Sequence, residues 1–165
     1  NGLVGKSPVD LISLNHVLEH LPEPLFLLRE LFQHNLKKGG LLYVEVPRAD
    51  SWQAQIAGDA WMHWDIPKHL SHWTEPVLTA QLEALGLSKI AERNFSLHLG
   101  VLGMVQALLS RVGYRENLVL RLKRKKSLGL IGLLAAFLPL AWTLELLSSL
   151  SGKSGICGVY YQKHG

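Results

Sequence analysis

An α/β fold with parallel strands is predicted by three observations within one stretch, VDLISLNHVLEHLPEPLFLLRELFQHNLKKGGLLYVEVP, from Val9 to Pro47. The apolar run from Asp10 to Leu14 stops abruptly at the polar groups Asn15, His16, Glu19 and His20. A helical period of apolar residues follows, and a glycine pair then leads into a second apolar run. Strand, helix and strand in that order are the unit of a parallel sheet, and ligands of open α/β sheets bind outside the carboxyl ends of the strands.

Each element has its own reason. Leu25, Leu28, Leu31 and Phe32 recur at three- and four-residue steps after Pro22 and Pro24, which predicts a helix whose outer face carries Arg29, Glu30 and Gln33. Lys37 and Lys38 suit the negative end of its dipole, and Gly39-Gly40 is expected to turn the chain. Leu41 to Val46 reads as a buried strand interrupted by Glu45, and Pro47 ends it. Ser51 to Ala60 fits a short helix. WMHWDIPKHLSHWT holds three tryptophans, Trp61, Trp64 and Trp73, and three histidines, His63, His69 and His72, within fourteen positions. These residues either pack a loop onto the sheet or form a lid over substrate. Glu75 to Leu85 is the next helix, with Thr74 as N-cap, Pro76 in its first turn and Gly86 at its end. Leu87 to Asn94 and Gly155 to Gln162 complete the strands.

Between those two strands lies an apolar insertion. Leu97 to Val112 is apolar on most faces, and Leu128 to Leu144 holds no charged residue but does contain Pro139. Arg121, Lys123, Arg124, Lys125 and Lys126 directly precede that run. A spanning helix needs roughly 20 apolar residues, a length reached only by including Glu145. The expectation is a helical hairpin or interfacial helix, with 121–150 on a membrane surface and the basic cluster on anionic headgroups. A true span and a buried helix or dimer contact are the other readings.

Composition bounds the rest. The chain has 165 residues, 48% hydrophobic and 18% charged, enough for a folded core. A single cysteine, Cys157, excludes an internal disulfide framework. The net charge of +4 is concentrated locally. The residues beside the cluster are aliphatic rather than aromatic, so nucleic acid is not the expected partner.

The motifs DLISLNHVLEHL, LKKGGLLYVEVP and DIPKHLSHWT together resemble class I S-adenosylmethionine-dependent methyltransferases, in the small-molecule branch that includes ubiquinone-biosynthesis O-methyltransferases. The resemblance covers about Val9 to Asn94 and, more weakly, the last strand. It implies the C-terminal half of a Rossmann-like methyltransferase sheet, strands four to seven with the last antiparallel, carrying the helical insertion before the last strand. The corresponding divisions are residues 1–94 for the partial core, 95–154 for the insertion and 155–165 for the last strand. The family's glycine-rich loop and the acidic residue after its second strand have no counterpart upstream of Val9. The chain is therefore expected to be the C-terminal part of a longer enzyme, inactive by itself.

The resemblance implies S-adenosylmethionine as cofactor, held in part by Leu14, Asn15 and His16, and a small-molecule or lipid-linked acceptor methylated most readily on oxygen. A hydroxyl acceptor needs a base, and His20 and His69 are the catalytic candidates. Trp64 and His72 are expected to line the acceptor pocket. His16, Glu19 and His20, spaced i, i+3 and i+4, would share one face of a helical turn. They resemble an E-x-x-E-H metal cluster in which His16 replaces the first acidic residue, and no metal is expected. The setting is cytoplasmic, at the inner face of a membrane if the insertion docks there. The alternative is a non-catalytic methyltransferase-like module that recruits a membrane or protein.

Overall fold

The structure, a computed structural model, describes residues 7–114, 116, 118–124 and 128–164, with the side chains of 122–124 excepted. Lys125 and Lys126 of the basic cluster lie outside the described residues. Ten elements follow in order: β1 (Val9–Asn15), α1 (Pro24–His34), β2 (Leu36–Pro47), α2 (Trp52–Ala57), α3 (Glu75–Ala84), β3 (Leu87–Arg93), α4 (Leu99–Arg111), α5 (Leu118–Arg124), α6 (Leu128–Leu150) and β4 (Ile156–Lys163). Single 3₁₀ turns occupy Leu18–His20 and Gly58–Ala60.

The chain forms two compact units. The first comprises Asn1–Pro47, Ile66–Arg93 and Cys157–Gly165, and the second Arg48–Asp65 and Asn94–Ile156. Residues 48–65, which the sequence reading grouped with the core, thus cluster with the insertion.

In the first unit a four-stranded sheet has the order β1-β2-β4-β3. β1 and β2 run parallel, with Ile12 opposite Leu42 and Asn15 opposite Glu45. β4 lies antiparallel to β3, pairing Ala91 with Tyr160 and Arg93 with Gly158. The edge-antiparallel arrangement expected for the last strands is therefore present, with β4 inserted between β2 and β3. Leu28 and Phe32 from α1, Leu78 and Leu82 from α3, and Leu42, Val44, Val159 and Tyr161 from the sheet form one buried cluster with Trp73. The three- and four-residue spacing of α1 is what brings its leucines to that core.

Two local expectations need correction. Gly39-Gly40 does not separate α1 from a strand, because β2 already begins at Leu36 and the register jumps from Val9↔Leu36 to Leu11↔Leu41. The glycines lie in a bulge where Gly39 takes φ 72°, a left-handed value that glycine adopts without steric penalty. Thr74 precedes α3 but its side chain makes no capping bond. Thr79 Oγ1 instead donates to Glu75 Oε1 at 2.7 Å, so the hydroxyl that ties down this turn comes from inside the helix.

In the second unit α4 is the central helix, packing against α2 and α6. Met104, Val105, Leu109, Leu118, Leu130 and Ala141 form one buried cluster, and Ala54, Ala57, Trp61 and Ala107 form another. Trp73 is buried in the sheet core, as the packing alternative has it, whereas Trp61 is buried among the helices of the second unit and not on the sheet. Ser51 caps α2 by accepting from the Ala54 amide at 3.2 Å. The expected interruption at Pro139 does not occur, for α6 runs continuously from Leu128 to Leu150. Thr143 Oγ1 donates to the Pro139 carbonyl at 2.9 Å within the same turn. Glu145, the carboxylate that the sequence made an obstacle, is fully buried and accepts from Gln53 Nε2 at 2.9 Å and the Gly155 amide at 3.3 Å.

Candidate functional site

The carboxyl ends of β1 and β2 carry the polar residues that the strand pattern placed there. At the end of β1, Leu14 is half-buried and Asn15 exposed, its amide nitrogen donating to Ser13 Oγ at 2.7 Å. His16 then takes φ 52°, a left-handed conformation uncommon outside glycine, and its amide still donates to the Glu45 carbonyl at 2.9 Å. This residue bends the chain off the strand line while keeping one last ladder bond.

The bend explains why His16, Glu19 and His20 do not share a helical face as expected. His16 Nδ1 lies 3.1 Å from Glu19 Oε1, and its Nε2 lies 3.4 Å from Glu45 Oε1. Burial works against the charged imidazole, but the bonds and charges of Glu19 and Glu45 outweigh it and push its pKa from 6.5 up to about 9. His16 is therefore a cation at neutral pH, a donor rather than a base. Glu45 also accepts from Tyr43 Oη at 2.6 Å and pairs with Arg93 at 3.4 Å. Its bond to His16 is the largest influence holding the Glu45 carboxyl below its usual range. Burial and the bond to Glu45 push Tyr43 up to about 12, so its hydroxyl keeps its proton.

His20 points elsewhere. Its Nδ1 lies 3.1 Å from the Lys68 carbonyl oxygen, which can only accept, so Nδ1 is the donor and in the neutral ring the lone pair falls on Nε2. The loop that supplies this carbonyl is clamped to the 3₁₀ turn: Leu70 and Ser71 amides donate to the Glu19 carbonyl at 2.6 and 3.3 Å, and Ser71 Oγ donates to the Leu18 carbonyl at 3.3 Å. That clamp brings His69 against His20, ring centroids 4.7 Å apart and edge to face, with His72 at 6.3 Å from His69. Three of the sequence-selected residues, His20, His69 and His72, are thus assembled from segments about fifty residues apart. Trp64 belongs to the second unit, where its indole donates to the Gly58 carbonyl at 2.8 Å and packs edge-on to Trp61.

Glu19, His20 and His69 offer ligand atoms within 4.8 Å of one another. One carboxylate and two imidazoles suit a first-row divalent metal, and His69 here occupies the place expected for His16. Glu19 Oε2 is buried without a hydrogen-bond partner and is the acceptor most in need of one. The bent strand end with Leu14, Asn15 and the His16 cation fits one side of a cofactor seat.

The network on Glu45 is what sequence reasoning missed. Its signal was present as the one carboxylate inside an apolar strand, with Tyr43 two residues away on the same strand, but Arg93 gains its meaning only once β3 is placed in the sheet.

Comparison with known proteins agrees with this architecture. Residues 2–92, more than half of the chain, match the family described as a methyltransferase domain. No curated protein matches. Among solved structures, an S-adenosylmethionine-dependent methyltransferase from Archaeoglobus fulgidus superposes with a TM-score of 0.52 at 18% identity, over 97% of this chain and 62% of the other. A mycolic acid cyclopropane synthase, solved with S-adenosylhomocysteine and CTAB, gives a TM-score of 0.52 at 13% identity, over 96% and 56%. The [4+2]-cyclase SpnF gives 0.50 at 18%, over 96% and 50%. The chain spans about half to three-fifths of the length of these structures. They share its fold, and the presence of a cyclase among them shows how much chemistry that fold accepts. S-adenosylmethionine, the cofactor expected from the sequence, is in keeping with these neighbours. By its sheet order, its strand-end site and the match across residues 2–92, the chain belongs to the methyltransferase domain family.

Proposed function

We propose that this chain carries the acceptor side of an S-adenosylmethionine-dependent methyltransferase that methylates a hydroxyl of a small-molecule or lipid-linked acceptor. The observation that carries this reading is His20, whose Nδ1 lies against the Lys68 carbonyl and whose ring meets His69 edge to face, so that its neutral form presents the Nε2 lone pair. Bound S-adenosylmethionine supplies a methyl group already activated on sulfur. What the protein must add is alignment and removal of the acceptor proton.

His20 Nε2 accepts that proton, and the imidazolium so formed remains bonded through Nδ1 to Lys68 and faces the His69 ring. His69 and His72 position the acceptor. Leu14 and Asn15 contribute an apolar and a polar contact to the cofactor side. His16 holds positive charge between Glu19 and Glu45, which orients the strand end and leaves His20 as the base.

The test is methyl transfer from radiolabelled S-adenosylmethionine to a panel of phenols and polyprenyl-linked hydroxyls. His20→Ala is expected to slow turnover by about 10²-fold or more, with S-adenosylhomocysteine affinity changed less than about threefold. His69→Ala should follow the same pattern more weakly. Unchanged turnover in both variants would remove them from the mechanism, and no cofactor binding at millimolar concentration would overturn the enzyme reading.

A further inference from the structure

We propose that the uncharged first half of α6, together with the groove between α4 and α6, docks on an anionic lipid bilayer and enters it to the depth of one leaflet. This inference does not depend on methyl transfer.

From Leu128 to Leu140 the helix has no charged residue and is open on most of its surface: Leu128 is 89% exposed, Leu140 51%, and Ile131 and Leu138 46%. Leu130 is the buried residue of this half. A surface helix of a globular domain buries its apolar stripe and shows a polar face to water. This half of α6 shows water an apolar one instead. Beside it is a groove of about 690 Å³ whose lining, from Leu97 and Val101 to Pro139 and Trp142, is apolar apart from His98 and Thr143. Its apolar lining suits an acyl chain.

The length decides depth. At 1.5 Å per residue the exposed half extends about 20 Å, short of the roughly 30 Å hydrocarbon core but more than enough for one leaflet. The second half of α6 cannot extend the insertion, since Ala141, Glu145 and Ser148 are buried and Glu145 is held by Gln53 and the Gly155 amide.

Charge decides the occupant. Arg121, Lys123, Arg124, Lys125 and Lys126 immediately precede Leu128 in the chain, so the apolar helix enters from a cationic flank. Arg121 is exposed and pairs with exposed Glu116 at 3.6 Å. Anionic headgroups complement that flank, whereas a second copy of the chain brings the same positive sign.

The test is flotation of the full chain with phosphatidylcholine vesicles, with and without about one-third phosphatidylserine, at low and high salt. Partitioning is expected to be at least about tenfold stronger on the anionic vesicles and to weaken as salt rises. Ile131→Lys and Leu138→Lys, both at exposed positions, should each reduce it about tenfold with an unchanged circular dichroism spectrum. Equal binding to neutral and anionic vesicles, or no binding, would overturn the proposal. Resistance to high salt and alkaline extraction would assign α6 to a true span instead. A dimer in sedimentation that Leu138→Lys dissociates, without vesicle binding, would assign the face to a second copy.

Discussion

His16 shows how one residue can set the electrostatics of a strand end. Its folded pKa of about 9 lies above the unfolded 6.5, so the folded state binds the proton more tightly. The stabilisation is complete below pH 6.5 and is lost as pH rises to about 9. For a ring one-quarter exposed, solvent screening leaves on the order of 1–2 kcal/mol. His16→Asn keeps a side chain that tolerates the left-handed backbone. In urea unfolding, it is expected to be less stable than the parent by that amount at pH 6 and nearly equal at pH 9.5. A second residue-scale prediction concerns Gly158. A Cβ there would fall on the Tyr43 hydroxyl, which is fixed by Glu45 and by ring contact with Tyr160 at 4.5 Å. Gly158→Ala should therefore cost about 1–3 kcal/mol, as overpacking does, measured by thermal unfolding.

At the scale of elements, α6 is two helices in one. Its second half is part of the packing of its unit, with Glu145 buried and its carboxyl pushed up by that burial against the bonds from Gln53, Gly155 and Ser148. Glu145→Leu leaves the Gln53 amide without this acceptor, and a loss of about 1–3 kcal/mol is expected, whereas Glu145→Gln retains a carbonyl and should lose less. Chemical denaturation of the pair measures the difference. Deleting all of α6 removes this partner and the cover of α4, so it should unfold the second unit, whereas lysine substitutions in the exposed half should not. The elements legible in the sequence were those with a short-range cause. α1 follows from leucines at helical spacing, and β4 from a largely apolar run after a turn. What stayed hidden depends on partners far along the chain: the bulge at Gly39 needs β1 beside it, and the Nδ1–H of His20 finds its acceptor at Lys68. Thr74 illustrates the remaining kind of error, a residue of the right type at the right position whose hydroxyl has no part in the cap.

On the scale of the whole molecule, the connectivity is interleaved. The chain passes between its two compact units after Pro47, Asp65, Arg93 and Ile156. β4, the strand between β2 and β3, is supplied only after α6 has been made. A chain ending at Ser154 leaves β2 and β3 without that neighbour and exposes the core around Leu42, Val44 and Leu87. Loss of the cooperative thermal transition is expected, followed by circular dichroism. The candidate site was legible to the extent that strand ends are: Asn15, His16, His20 and His69 all stand out in the sequence, but the different partners of the two histidines, Glu45 for His16 and the Lys68 carbonyl for His20, depend on segments far along the chain.

The fourfold crossing also limits how such a protein can diversify. A unit joined at a terminus can be exchanged by a single fusion, but a unit composed of 48–65 and 94–156 meets the rest of the chain at four junctions. Changing it wholesale demands coordinated replacement of both segments. Single substitutions along the exposed half of α6 are the easier route to a new attachment, because they leave all four junctions intact.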